Sequence, residues 1–204
     1  MKHRLISLSV VALLLASPAI QRLVWAGLAT EQMRDTVDRV VAVIQDPRLK
    51  AAGGQAERRE RLRQLIGARF DFNEMAKRSL GQNWQGRTAE EQREFAGLFA
   101  NLLEKSYADQ IEAFHGEKIV FGRERQEQNH AEVESKIVTA KRDEFSVNYK
   151  LLSADGEWKV YDVVFADVSL VNNYRSQFNR ILAKGSFAEL LRTMRGGPGA
   201  MGVK

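Results

Sequence analysis

At 204 residues, 44% of them hydrophobic, the chain is long enough for one well-buried core and too short for two comfortable domains. Its net charge of +5 comes from 31 basic and 26 acidic residues, but Lys2, Arg4 and Arg22 lie in the first 26 residues, and the remaining 28 and 26 are mixed in sign, which removes the main electrostatic case for nucleic-acid binding. The absence of cysteine excludes disulfides, thiol chemistry and cysteine-ligated metal.

Lys2, His3 and Arg4 precede an uncharged run from Leu5 to Ala16, the layout of a signal peptide. The run is shorter than the roughly 20 residues of a spanning helix, and Arg22 interrupts its continuation. Val24-Trp25-Ala26 is the preferred cleavage site, with Ser17-Pro18-Ala19 as the alternative. The expected organisation is a signal peptide over 1–26, one domain over 27–195 and a disordered glycine-rich tail over 196–204.

Met33, Val37, Val40, Val41 and Ile44 recur at helical spacing until Pro47 and Gly53-Gly54 break the pattern. A charged segment from Gln55 carries Leu62, Leu65, Ile66 and Phe70 on one stripe, and a short helix through Phe72, Met75, Ala76 and Leu80 ends at Gly81. The longest helix is predicted from Thr88 to about Phe114, with Thr88 and Glu91 forming a capping box and a stripe of Phe95, Leu98, Phe99, Leu102, Leu103, Tyr107, Ile111 and Phe114. Beyond Gly116 the period changes to two, giving four strands at Lys118 to Arg125, Ala131 to Ala140, Glu144 to Leu152 and Glu157 to Phe165. Asp155-Gly156 is a hairpin signal, so an antiparallel meander is the economical arrangement. A helix through Leu170, Val171, Tyr174, Phe178 and Ile181 follows, then a short one capped by Ser186 with Glu189 at the third position. Helices segregated to one face of an antiparallel sheet make an α+β domain.

Catalytic candidates are few. His115 and His130 lack metal-ligand spacing with any histidine or carboxylate, Ser169 and Ser176 lack a nucleophile-elbow glycine pattern, and Asp162 and Asp167 stand beside a strand end where capping is their expected work. No P-loop or dinucleotide glycine pattern occurs, and no cofactor is expected. The aromatic and aliphatic load is more informative: a long helix with large side chains facing a short sheet either packs solidly or splays to leave a cavity.

Three stretches, FDFNEMAKRSLGQNW from Phe70, TAEEQREFAGLFANLLEKSYADQIEAFHG from Thr88 and WKVYDVVFADVSLVNNYRSQFNRI from Trp158, together resemble the MlaC or toluene-tolerance family, the periplasmic phospholipid carriers of Gram-negative bacteria. Their order and spacing cover about residues 30 to 195. One departure is visible: Ala166-Asp167 stands where many members have a Glu-Gly pair. The resemblance implies a fold like that of nuclear transport factor two, a curved four-stranded sheet with helices closing an apolar lipid pocket. It implies a non-enzymatic periplasmic protein whose cargo is a phospholipid, or a hopanoid in one branch of the family. The implied partners are the membrane-anchored substrate-binding subunit of an inner-membrane ABC transporter and an outer-membrane lipoprotein complex.

On that basis the expected lipid wall is Phe99, Leu102, Leu103, Tyr107 and Ile111 of the long helix, Val147 and Tyr149 of the third strand, and Tyr161, Val163, Phe165, Val168 and Val171 at the sheet's end. Met75 and Leu80 are expected to close one end, Met suiting a variable ligand through its flexible thioether. Tyr107 and Val168 match family positions near the pocket, and Arg93 matches a basic position facing a partner. A small enzyme on the same fold and a solid-cored adaptor are the competing readings.

Overall fold

The computed structural model describes residues 27–51, 53–114 and 116–201; the expected signal peptide and His115 lie outside them. Helix α1 spans Leu28–Gln45. Its first turn is capped from far along the chain: the Glu124 carboxylate accepts bonds from the Gly27 and Thr30 amides (3.0 and 2.7 Å) and from the Thr30 hydroxyl (2.6 Å). A carboxylate there satisfies otherwise orphaned N–H groups and suits the positive end of the helix. Asp46 caps the short α2, Pro47–Lys50. Gly54 is required before α3, Gln55–Arg69, because a Cβ there would sit 2.8 Å from the backbone of Arg48 and Leu49.

Helix α4, Phe72–Leu80, is capped by Asp71 and runs into a 3-10 turn over Gly81–Trp84. Helix α5, Ala89–Glu112, carries the expected capping box of Thr88 and Glu91. The sheet contains β1 (Lys118–Glu127), β2 (His130–Val138), β3 (Glu144–Ala154), β4 (Glu157–Phe165) and β5 (Val168–Ser169), in that spatial order and antiparallel throughout. Helices α6 (Leu170–Leu182), α7 (Phe187–Arg195) and α8 (Pro198–Met201) complete the chain. Asp155-Gly156 forms the expected tight turn, both residues having positive φ (51° and 82°).

Two features depart from expectation. The sheet has five strands rather than four, because Ala166-Asp167 makes a second tight turn that pairs Phe165 with Val168; a two-residue strand is too short to display an alternating pattern. The expected disordered tail is helical over α8, where Met201 is buried in the helical core, and residues 202–204 lie outside the described residues.

The apolar interior is divided in two. A helical core joins α4, α5, α6, α7 and α8, with Phe95 and Phe99 stacked at 6.2 Å and the other ring contacts among Phe95, Phe99, Tyr174 and Phe178 edge to face or tilted at centroid distances from 5.2 to 5.8 Å. A sheet core sets Ala29 and Met33 of α1 on Ala131, Val133, Leu151, Trp158 and Val160. Arg69 fastens α1 and α3 to β4 by donating to Thr36 Oγ1 (3.0 Å), Gln32 Oε1 (2.8 Å) and the Trp158 carbonyl (2.6 Å). The long helix α5 packs chiefly on α4, α6, α7 and α8, and no strand is among its main packing partners.

Candidate functional site

Strand alternation and register decide which residues share the face of the sheet that α1 covers. Val133 lies opposite Tyr149, Ser135 opposite Val147 and Ile137 opposite Phe145; on the next strand Tyr149 faces Val163 and Val147 faces Phe165. Side chains of directly paired residues share a face, so these residues continue the surface that α1 covers at Val133 and Leu151. Ile119 and Phe121 of β1 extend it through their partners Ile137 and Ser135.

Helix α1 covers only one end of this surface. Toward the other end Ile119, Ile137, Phe145, Val147 and Phe165 belong to neither core, although Val147 is buried. Phe145 and Phe165 stack at 6.1 Å and remain 42% and 49% exposed, and Val168 beside them is 59% exposed. Large apolar side chains left open together make this end of the face a candidate binding surface.

The second half of α5 supplies Tyr107 and Ile111, both half-buried. Burial, with a smaller contribution from neighbouring Tyr174, pushes the Tyr107 phenol up to about 12. Burial also pushes Tyr149 up to about 12, opposed by a hydrogen bond with Ser135. Tyr149 is half-buried and packs against the sheet core, which is the source of this desolvation. The polar atoms nearby are occupied: the Ser135 hydroxyl donates to the Val147 carbonyl (2.6 Å), and Ser106 and Tyr174 share a hydrogen bond of 3.1 Å. Asp162 accepts from Ser169 Oγ (2.7 Å) and the Val171 amide (3.0 Å), the capping work expected of it. Among the described residues no group of His, Asp and Glu could hold a metal ion.

Of the expected wall residues, Ile111, Val147, Phe165 and Val168 belong to neither core, Tyr149 and Val163 pack against the sheet core, and Tyr107 packs against the helical core. Met75, Leu80, Phe99, Leu102, Leu103 and Val171 sit inside the helical core, packed by neighbouring helices. Tyr161 is set apart by a bulge in β4: Val160 pairs with Leu151 and Asp162 with Lys150, so Tyr161 is the extra residue, and it packs on the helical core under the Arg78 guanidinium, 4.0 Å from its ring centre. Arg93 is exposed on the first half of α5 and makes no ion pair among the described residues. Sequence reasoning missed Ile119, Ile137 and Phe145; the last shares its parity along β3 with Val147 and Tyr149, which was the signal available.

The model of the MlaC protein family matches residues 34–196. The chain belongs to the MlaC family. The match takes in the whole sheet, α3 to α7 and most of α1. The intermembrane phospholipid transport system binding protein MlaC of Haemophilus influenzae is 27% identical over 121 residues, 57% of this chain and 56% of that protein; the chain thus spans about half the length of the curated relative it matches. The phospholipid-binding protein of Ralstonia solanacearum, solved in complex with a phospholipid, superposes with a TM-score of 0.76 at 24% identity, over 85% of this chain and 98% of that one. The MlaC fold is thereby established for this chain, and the departure at Ala166-Asp167 falls in the β4–β5 turn beside the exposed Phe165.

Proposed function

We propose that this MlaC family member is an exported, non-enzymatic lipid carrier of the periplasm, which buries the acyl chains of a phospholipid, or alternatively a hopanoid, between α5 and the sheet. The observation that carries this reading is the apolar end of the sheet that neither core covers, from Ile119 and Ile137 through Val147 to the open Phe145 and Phe165. The names of its relatives support the same cargo class: one is a phospholipid transport binding protein and the other was solved with a phospholipid. Among the described residues no helix is long and apolar enough to cross a membrane.

The energetics require such burial. A diacyl lipid has roughly 30 methylenes, and at ~0.8 kcal/mol each its tails cost on the order of 20 kcal/mol to expose to water. The wall offers chiefly apolar area, so the tails are enclosed while the headgroup stays near solvent. The inner-membrane ABC transporter, through its anchored substrate-binding subunit, and an outer-membrane lipoprotein complex are the partners that would supply and receive the cargo. Arg93 on the exposed face of α5 is a candidate contact for one of them. Native mass spectrometry of the exported protein, purified without added lipid, tests the reading. A bound mass of lipid size is the expected result, and a protein that neither carries lipid nor takes it up from vesicles refutes it.

A further inference from the structure

Helices α3 and α5 are joined by side chains rather than by close packing. α3 packs on α1, α2 and β4 and buries a single residue, Leu62, while α5 packs on α4, α6, α7 and α8. The gap between α3 and α5 is spanned by arginines. Arg63 donates through Nε and a terminal nitrogen to the two oxygens of Glu104 (3.1 and 2.7 Å). Arg59 Nε donates to Glu112 (3.0 Å), and Arg58 donates to the other oxygen of the same carboxylate. The hydrogen bonds from Arg63 hold Glu104 below the usual carboxylate range; at Glu112 burial pushes upward, and the bonds from Arg59 and Arg58 outweigh it.

Beside these ion pairs lies a cavity of about 200 Å³ lined by Arg59, Glu104, Lys105, Ala108 and Asp109. On the same two helices Leu65, Ile66 and Ile111 are half-buried and belong to neither core. An apolar seam would gain stability in proportion to the area it removes from water. A seam closed by ion pairs gains little, because desolvating the charges offsets most of their attraction. Arg58 and Glu112 are the clearest case, with side chains only 14% and 15% exposed and Arg58 Nε left without a partner.

We infer that the α3–α5 seam is the passage by which acyl chains enter and leave the cavity, and that Arg58, Arg59 and Arg63 clasp it shut on Glu104 and Glu112. The inference rests on the carrier reading above. Opening there breaks ion pairs and leaves both cores intact, whereas separating α5 from α4 or α7 would expose the aromatic centre of the helical core.

The test uses the exported protein loaded with a fluorescent phospholipid and mixed with an excess of unlabelled phosphatidylcholine vesicles, the rate of label loss being the readout. Exchange by the native protein should quicken as salt is raised from about 50 mM to about 500 mM, since screening weakens exposed pairs. The variant Glu104→Gln with Glu112→Gln should exchange about tenfold faster at low salt and respond little to added salt. Because removing Glu112 leaves Arg58 buried without its partner, a second variant guards against local unfolding. The chain has no cysteine of its own, so Arg63→Cys with Glu104→Cys can be bridged by a short bismaleimide and compared with the unbridged form. The bridged protein should retain its load at least about tenfold longer. A bridged protein that exchanges at the native rate overturns the inference and places the passage elsewhere, at the open Phe145 and Phe165. Native protein that takes up no lipid would sink the carrier reading itself, and that failure shows before any variant is made.

Discussion

Replacing Val147 by tryptophan separates a cavity from a solid core by the sign of its effect. Val147 is 6% exposed, shares a sheet face with Tyr149 and Phe165, and belongs to neither apolar core. If the space before it is open in the lipid-free protein, an indole there fills room and buries roughly 100 Å² of additional apolar surface, worth about 2 kcal/mol of stability. If the space is packed, the same change forces neighbours off their rotamers and costs about 1–3 kcal/mol. For the cargo the effect has one direction. An indole in place of an isopropyl group takes the room of about four methylenes, and at ~0.8 kcal/mol each their exclusion weakens binding by on the order of 3 kcal/mol, roughly a hundredfold. The assay is thermal unfolding of delipidated Val147→Trp together with lipid retention by native mass spectrometry. Equal or higher thermal stability with lipid lost is the expected pair of results. A destabilised protein refutes the cavity at this position, and full lipid retention refutes Val147 as part of the wall.

Alkaline pH should loosen the fold through the same region. Tyr107 and Tyr149 are both pushed up from 10 to about 12 by burial, so their stabilising contribution is complete below pH 10 and lost as pH rises toward 12; for the deeply desolvated Tyr149 this amounts to about 2–3 kcal/mol. Melting temperatures from pH 9 to about 12, with phenolate absorbance followed in parallel, check this, and ionisation of every tyrosine near 10 with an unchanged melting temperature contradicts it. At the β4–β5 turn, Ala166 is held at a φ of 45°, which costs a residue with a Cβ about 1 kcal/mol. Ala166→Gly should therefore stabilise by up to about 1 kcal/mol after the added flexibility of glycine is allowed for, whereas Ala166→Val should destabilise; urea midpoints of the two variants decide it.

The elements were legible wherever their signals are local. The Thr88–Glu91 capping box, the Ser186 cap and the Asp155-Gly156 turn each lie within a few residues of the boundary they set, and the structure places those boundaries there. β5 and α8 were not legible, because a two-residue strand shows no alternation and the burial of Met201 depends on a core assembled from distant helices. The Glu124 cap of α1 and the Arg69 anchorage were invisible for the same reason, since each joins groups more than 30 residues apart. The wall was only half readable. The stripe on α5 states which side chains are apolar but not what faces them: the helical core takes in Phe99, Leu102 and Leu103, with Tyr107 packed against it, and Ile111 in the last turn lies outside both cores. On the sheet, parity was the better guide, and it leads from Val147 and Tyr149 to Phe145 as well.

The division into two cores gives the proposed carriage its physical form. The helical core is completed by α6, α7 and α8 and the sheet core by α1, and the two meet at Phe70, which packs against both. On the proposed reading, parting the surfaces that belong to neither core would admit tails without a cost on the scale of unfolding, which for a domain is about 5–15 kcal/mol. Tails held there are nearly as well shielded as in a bilayer, so lipid affinity alone has little power to drive transfer either way. The direction of transfer must then come from what binds the outside of the protein, since any partner that grips the open seam more tightly than the closed one shifts the equilibrium toward release by that difference in affinity.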